Sequence, residues 1–120
     1  MKLNHLNLQV TDVQTARDFF ETFFGLRCTY ARTELAMLED GDGFALAVSN
    51  LSKGSAPQYP KDFHVGFRLA STEQVKDIYN RLKNAGIEIK FALQKAGPNL
   101  VFQCYAPNSI LVEVSAPFES

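Results

Sequence analysis

The chain has 120 residues, of which 46% are hydrophobic and ten are phenylalanine, enough apolar material for one globular domain with a real core. Its formal net charge is −1, with lysines and arginines scattered along the chain, which removes the electrostatic case for nucleic acid or an anionic membrane as partner. The opening MKLNHLNLQV lacks the unbroken apolar run of a signal peptide, no later stretch reaches the length of a membrane span, and Cys28 and Cys104 form no CxxC pair, so a cytoplasmic protein with two reduced thiols is expected.

Residues 3–10, LNHLNLQV, alternate as a half-buried strand does. Leu6, Leu8 and Val10 share one face, and His5, Asn7 and Gln9 share the other. In the TDVQ that follows, Thr11 is placed to cap a helix, with Gln14 reaching back as a capping box. That helix carries Ala16, Phe19, Phe20 and Phe23 at helical spacing and stops at Gly25. Strand-like runs come next at 26–32, 35–40 and 44–49, and EDGDG (39–43) supplies the turn between the last two. The acidic turn lacks the later ligands of a calcium loop, so it reads as a hairpin. A polar stretch bearing Pro, Gly and Ser, SNLSKGSAPQYPKD, then leads away.

The same unit follows again. FHVGFRLA (63–70) sets Phe63, Val65, Phe67 and Leu69 on a core face and His64, Gly66, Arg68 and Ala70 on the other. STEQ repeats the capping pattern with Ser71 and Gln74, and the helix shows Val75, Ile78, Tyr79 and Leu82 before stopping at Gly86. Further strands are expected at 87–94, 100–105 and 110–115. FALAVS (44–49) aligns with ILVEVS (110–115), which matches Ala47 with Glu113. The organisation is one domain over 1–120: a first βαβββ module at 1–50, a linker at 51–61 and a second module at 62–120. The fold class expected is α+β, two βαβββ modules forming a curled mixed sheet around a cleft, with the helices on the convex side.

The repeat turns ordinary residues into a candidate site. His5 and His64, the only two histidines, fall at equivalent places on the first strand of each module, on the face that is not core. Glu113 sits on the same kind of face in the last strand. One strand histidine alone reads as a surface residue. Two imidazoles and a carboxylate in register suit Fe(II), Mn(II), Zn(II) or Ni(II), and three protein ligands leave open positions for substrate. On the same predicted face, Asn7 and Gln9 can hydrogen-bond a substrate and Arg68 can hold an anionic group bidentately. Tyr105 and Gln103 share a face of their strand, and alternation does not say whether it is the same one.

The doubled βαβββ unit, a histidine near the start of each half, and a glutamate closing the run APNSILVE together resemble the vicinal oxygen chelate superfamily. That superfamily includes glyoxalase I, bleomycin resistance proteins, fosfomycin resistance enzymes, methylmalonyl-CoA epimerase and extradiol dioxygenases. The resemblance implies a divalent metal held by His5, His64 and Glu113 and a small-molecule substrate, for which the predicted face offers Asn7, Arg68 and Tyr105 as contacts. Modules of this kind expose edges and apolar surface when alone, so a homodimer is expected, and in several relatives the metal site is shared between chains. It implies a lyase, transferase or dioxygenase without choosing among them. Two departures bear on that choice. Ala47 stands where glyoxalase I has a second glutamate that ligates and moves protons, and Asn7 stands where fosfomycin resistance enzymes have a threonine. A metal-free drug-binding protein of the bleomycin resistance type is the alternative, and a dimeric module without a small-molecule role is a third.

Overall fold

The computed structural model describes residues 1–119. It divides into two compact units, Met1–Gln58 and a second beginning at Tyr59. The first contains β1 (His5–Gln9), α1 (Val13–Phe24), β2 (Arg27–Arg32), β3 (Leu35–Glu39) and β4 (Ala45–Ser49). The second contains β5 (His64–Arg68), α2 (Thr72–Asn84), β6 (Ile89–Ala96), β7 (Asn99–Ala106) and β8 (Ile110–Pro117), with a short 3-10 turn, Pro107–Ser109, before the last strand. The repeat read from the sequence is therefore the repeat of the fold.

Each unit is a four-stranded mixed sheet, ordered β1-β4-β3-β2 in the first and β5-β8-β7-β6 in the second. The first and last strands of each module lie side by side and parallel, while the other pairings are antiparallel. A parallel pair needs a crossover, and here the helix and two strands between the paired strands provide it. Each helix packs on one face of its own sheet, α1 on β2, β3 and β4, and α2 on β6, β7 and β8. The core lies in that layer: Leu8, Val10, Ala16, Phe20, Leu38 and Val48 are buried in the first unit, and Val75, Leu82, Phe102, Cys104, Val112 and Val114 in the second. Phe19 and Phe20 meet edge to face at 5.2 Å, and Tyr79 meets Phe102 in the same way at 5.0 Å.

The capping of α2 is as expected: Ser71 Oγ accepts from the Gln74 amide and the Gln74 side chain accepts from the Ser71 amide, closing a capping box. For α1 the cap is Asp12 and not Thr11. Asp12 Oδ1 accepts from the Thr15 amide at 3.1 Å, and Gln14 donates instead to Asp18 one turn on. A carboxylate at this place also meets the positive end of the helix dipole, which a threonine hydroxyl cannot match. Gly25 ends α1 in the left-handed region (φ 66°), and Gly86 follows α2 with φ 79°.

One expectation about the core is softened. Phe63, Val65, Phe67 and Leu69 are half-buried. β5 is an edge strand, and α2 buries only Val75 and Leu82, whereas α1 buries Val13, Ala16, Phe19 and Phe20. Less apolar bulk is available to cover the strand.

Both outer strands carry an irregularity at equivalent places. In the first unit Cys28 pairs with Leu38 but Tyr30 pairs with Met37, and in the second Ile89 pairs with Cys104 but Phe91 pairs with Gln103. Two residues of the outer strand thus span one step of its partner, as in a β-bulge. The result reverses the side of the sheet on which the following residue falls.

Candidate functional site

Strand pairing places side chains in rows across the face opposite the helix, since partners in register point the same way. In the second unit one row runs His64, Leu111, Tyr105; the next runs Gly66, Glu113, Gln103, Phe91; a third runs Arg68, Ser115, Val101, Gln94. His64 and Glu113 therefore stand on neighbouring strands, one row apart, on one face. Tyr105 and Gln103 share that face with them, which settles what alternation left open.

Local contacts orient the candidate donors. His64 Nδ1 lies 2.9 Å from the Asp62 carbonyl oxygen, and His5 Nδ1 lies 2.8 Å from Asn4 Oδ1. An oxygen acceptor at Nδ1 selects the tautomer with the proton there, so in the neutral ring Nε2 is the nitrogen that can meet a metal. Gln103 Nε2 donates to Glu113 Oε1 at 3.1 Å, leaving Oε2 as the oxygen not engaged by that amide. On the β5 side of Glu113, Gly66 contributes no side chain, and a Cβ built there would meet only the Glu113 carbonyl oxygen, at 3.9 Å. Arg68 Nη2 reaches Asn99 Oδ1 at 3.3 Å, so its guanidinium is steadied on the same face.

The first unit repeats the rows with different chemistry. His5, Ala45, Glu39 and Arg27 form one, and Asn7, Ala47, Met37 and Tyr30 the next. Where the second unit has Glu113 hydrogen-bonded to Gln103, the first has the buried methyl group of Ala47 beside Met37. Ser49 Oγ donates to Asn7 Oδ1 at 2.9 Å, which leaves the Asn7 amide nitrogen as the group that can donate outward. Glu39, at the place equivalent to Tyr105, brings a carboxylate onto the His5 row, with Arg27 Nη2 3.9 Å away. Within neither unit do three His, Cys, Asp or Glu side chains gather to hold a metal among the described residues. The second unit carries two of the three candidate donors, His64 and Glu113, and His5 is carried by the other unit.

A broad hollow of about 970 Å³ opens elsewhere in the first unit, bounded by Thr11, Asp12, Arg17, Arg32, Glu34 and Lys53. Its arginines are already engaged, Arg17 with Glu21 at 2.9 Å and Arg32 with Glu34 at 3.5 Å. It includes none of the row residues.

The family model of the Glyoxalase/Bleomycin resistance protein/Dioxygenase superfamily matches residues 2–114. The chain belongs to that superfamily. Among solved structures it is similar to a possible glyoxalase from Bacillus cereus, with 43% identity over 95% of this chain and 97% of that one and a TM-score of 0.84. A fosfomycin resistance protein from Listeria monocytogenes shares 22% identity over 97% and 93% of the two chains, with a TM-score of 0.82. A lactoylglutathione lyase from Agrobacterium tumefaciens shares 16% identity over 96% and 92%, with a TM-score of 0.78. No curated protein matches the chain. At these lower identities the likeness is one of fold. Superfamily membership accounts for the doubled module and leaves the reaction open, because function resides in the particular side chains on the rows.

Two of those side chains were beyond reach of the sequence pattern. Phe91 and Tyr30 fall on the rows only because of the bulges, and strict alternation gives no sign of a bulge. Gln103 was visible, but its partner was not, since pairing Gln103 with Glu113 requires the register of β7 on β8.

Proposed function

We propose that the protein is a divalent-metal-dependent enzyme that acts on a small oxygen-bearing substrate by bidentate chelation, with His5, His64 and Glu113 as the protein ligands. The observation that carries the reading is the state of the donors: His64 Nδ1 is satisfied by a backbone carbonyl, His5 Nδ1 by Asn4, and Glu113 Oε1 by Gln103, so each side chain retains one defined donor atom. Imidazole and carboxylate together suit Fe, Mn, Zn or Ni. Bound there, such an ion supplies Lewis-acid stabilisation of negative charge developing on a substrate oxygen.

The chain's own residues do the rest. Gln103 fixes the carboxylate of Glu113, Asn7 offers its amide nitrogen as a donor, Arg68 receives an anionic substituent, and the Tyr105 hydroxyl stands on the His64 row. Ala47 cannot accept a proton, so the reaction favoured is one in which an external nucleophile adds, or the substrate supplies its own proton acceptor, and not the base-driven isomerisation of glyoxalase I. A homodimer working in the cytoplasm, with His5 from one chain and His64 and Glu113 from its partner, fits the split of donors between the two units.

Water-proton relaxation with Mn(II) tests the reading. Bound Mn(II) with open positions enhances relaxation, and acetohydroxamate, a small bidentate oxygen chelator, lowers the enhancement as it displaces water. An enhancement indifferent to the chelator overturns it, as does failure to bind Mn(II), Fe(II), Zn(II) and Ni(II) alike. The second reading, a metal-free small-molecule binder of the bleomycin resistance type, draws on Ala47 and on the lack of a three-donor cluster in either unit among the described residues. It predicts ligand binding that survives exhaustive treatment with a metal chelator.

A further inference from the structure

Phe91 is 50% exposed although it is a phenylalanine in the middle of a strand, and Tyr30, its equivalent in the other unit, is 54% exposed. Neither exposure is an accident of an unpaired end, since both residues are paired in register, Phe91 with Gln103 and Tyr30 with Met37. Each follows the irregularity that shifts its strand by one residue, and without the shift each aromatic would fall on the helix side of the sheet. The device is present in both modules, at the same place, with an aromatic each time. An exposed phenylalanine kept out of the core in this way forgoes its own burial, and bulges of this kind re-aim side chains beside functional sites.

Resting on the metal-centre reading above, we infer that Phe91 is the specificity wall of that site and that the substrate carries a flat, apolar group, aromatic or conjugated, adjoining its chelating oxygens. Three observations fix the direction. Phe91 ends the row Gly66, Glu113, Gln103, Phe91, so it lies two strand spacings from Glu113, about 10 Å at the usual separation of paired strands. Gln103, the residue between them, donates its side-chain amide to Glu113 at 3.1 Å, so its polar end is engaged on the Glu113 side of the row. Lys90 Nζ lies over one face of the ring, 5.6 Å from its centroid, and with the residue 50% exposed the opposite face is the one assigned to a substrate. A planar group stacked there gains the attraction of offset aromatic pairs in addition to burying area. In the first unit, the row of Tyr30 holds Asn7, Ala47 and Met37 and no carboxylate, so the chelating end of the substrate is assigned to the row of Phe91.

A pair of oxygen chelators that differ in one ring provides the test: benzohydroxamate and acetohydroxamate, titrated into the Mn(II)-loaded full-length protein and read by water-proton relaxation. The wild type is expected to bind benzohydroxamate about tenfold more tightly than acetohydroxamate. Phe91→Ala should reduce that ratio to about one while leaving the acetohydroxamate affinity and the Mn(II) affinity within about twofold, and Phe91→Tyr should restore it. A ratio unchanged in Phe91→Ala overturns the inference. If Phe91→Ala instead changes the sedimentation coefficient with the ratio unchanged, the ring belongs to a subunit contact, which also overturns it. Failure of the metal-centre reading looks different: neither hydroxamate binds to any of the three proteins.

Discussion

At Glu113 the amide of Gln103 decides which carboxylate oxygen is engaged inside the sheet and which is left for a ligand. Substituting Gln103→Leu removes the donor and keeps the volume. The expected outcome is a metal affinity about 10- to 100-fold weaker by isothermal titration, as for other groups that orient a metal ligand, with the folded state retained by circular dichroism. Thiol chemistry separates the two cysteines just as sharply. Burial pushes the Cys104 thiol up to about 12, while Cys28 is only half-buried. In native buffer one thiol per chain should react with a disulfide reagent in the fast phase and the second only on unfolding; two fast thiols would contradict the placement of Cys104 in the core. His5, His64 and Glu113 were legible in the sequence as candidate donors because a doubled unit makes equivalent positions comparable within one chain. The cap of α1 was not, since Thr11 and Asp12 are both good capping residues and only the start of the helical backbone, one residue later, selects Asp12.

Among the elements, α2 and the β3–β4 turn carry testable energetics. Ser71→Ala opens the capping box of α2 and should cost about 1 kcal/mol in denaturant unfolding. Phe102→Ala, which empties a fully buried position against Tyr79, should cost about 3–5 kcal/mol, so the ratio between the two reports how much more the core matters than the cap. In the turn, Asp40 Oδ1 accepts from the amides of Phe44 and Asp42, and these bonds, that of Phe44 foremost, hold its carboxyl below the ordinary 3.8. A carboxyl depressed in the folded state stabilises above its unfolded value and loses that contribution as the pH falls through the folded value. The melting temperature of Asp40→Ala should therefore lie below that of the wild type at neutral pH and converge on it on the acid side of 3.8. Element order was readable from capping and periodicity, and the hairpin reading of EDGDG holds. Hidden were the bulges in β2 and β6, because a bulge is a mismatch between two strands and leaves no mark on either one alone.

For the whole molecule, the division of donors is the central fact. One unit carries His5 and the other carries His64 and Glu113, and among the described residues neither unit gathers three His, Cys, Asp or Glu side chains. On the reading proposed here the protein is a homodimer that completes the site across chains, and a variant shown by sedimentation to be monomeric should lose its metal; a monomer with full metal content would contradict a shared site. The likeness to a possible glyoxalase from Bacillus cereus at 43% identity covers nearly the full length of both chains, so the doubled module is common to the two. What membership does not choose is the chemistry, and Ala47, at the position of the first module equivalent to Glu113 in the second, is where this chain departs from a doubled set of carboxylates. The most direct measurement is the metal content of untagged protein by elemental analysis, beside His5→Ala, His64→Ala and Glu113→Ala. The account predicts close to one Fe, Mn, Zn or Ni per chain in the wild type and loss of it in all three variants. A wild type without metal after anaerobic reconstitution with each of the four ions, or variants that keep it, would contradict it.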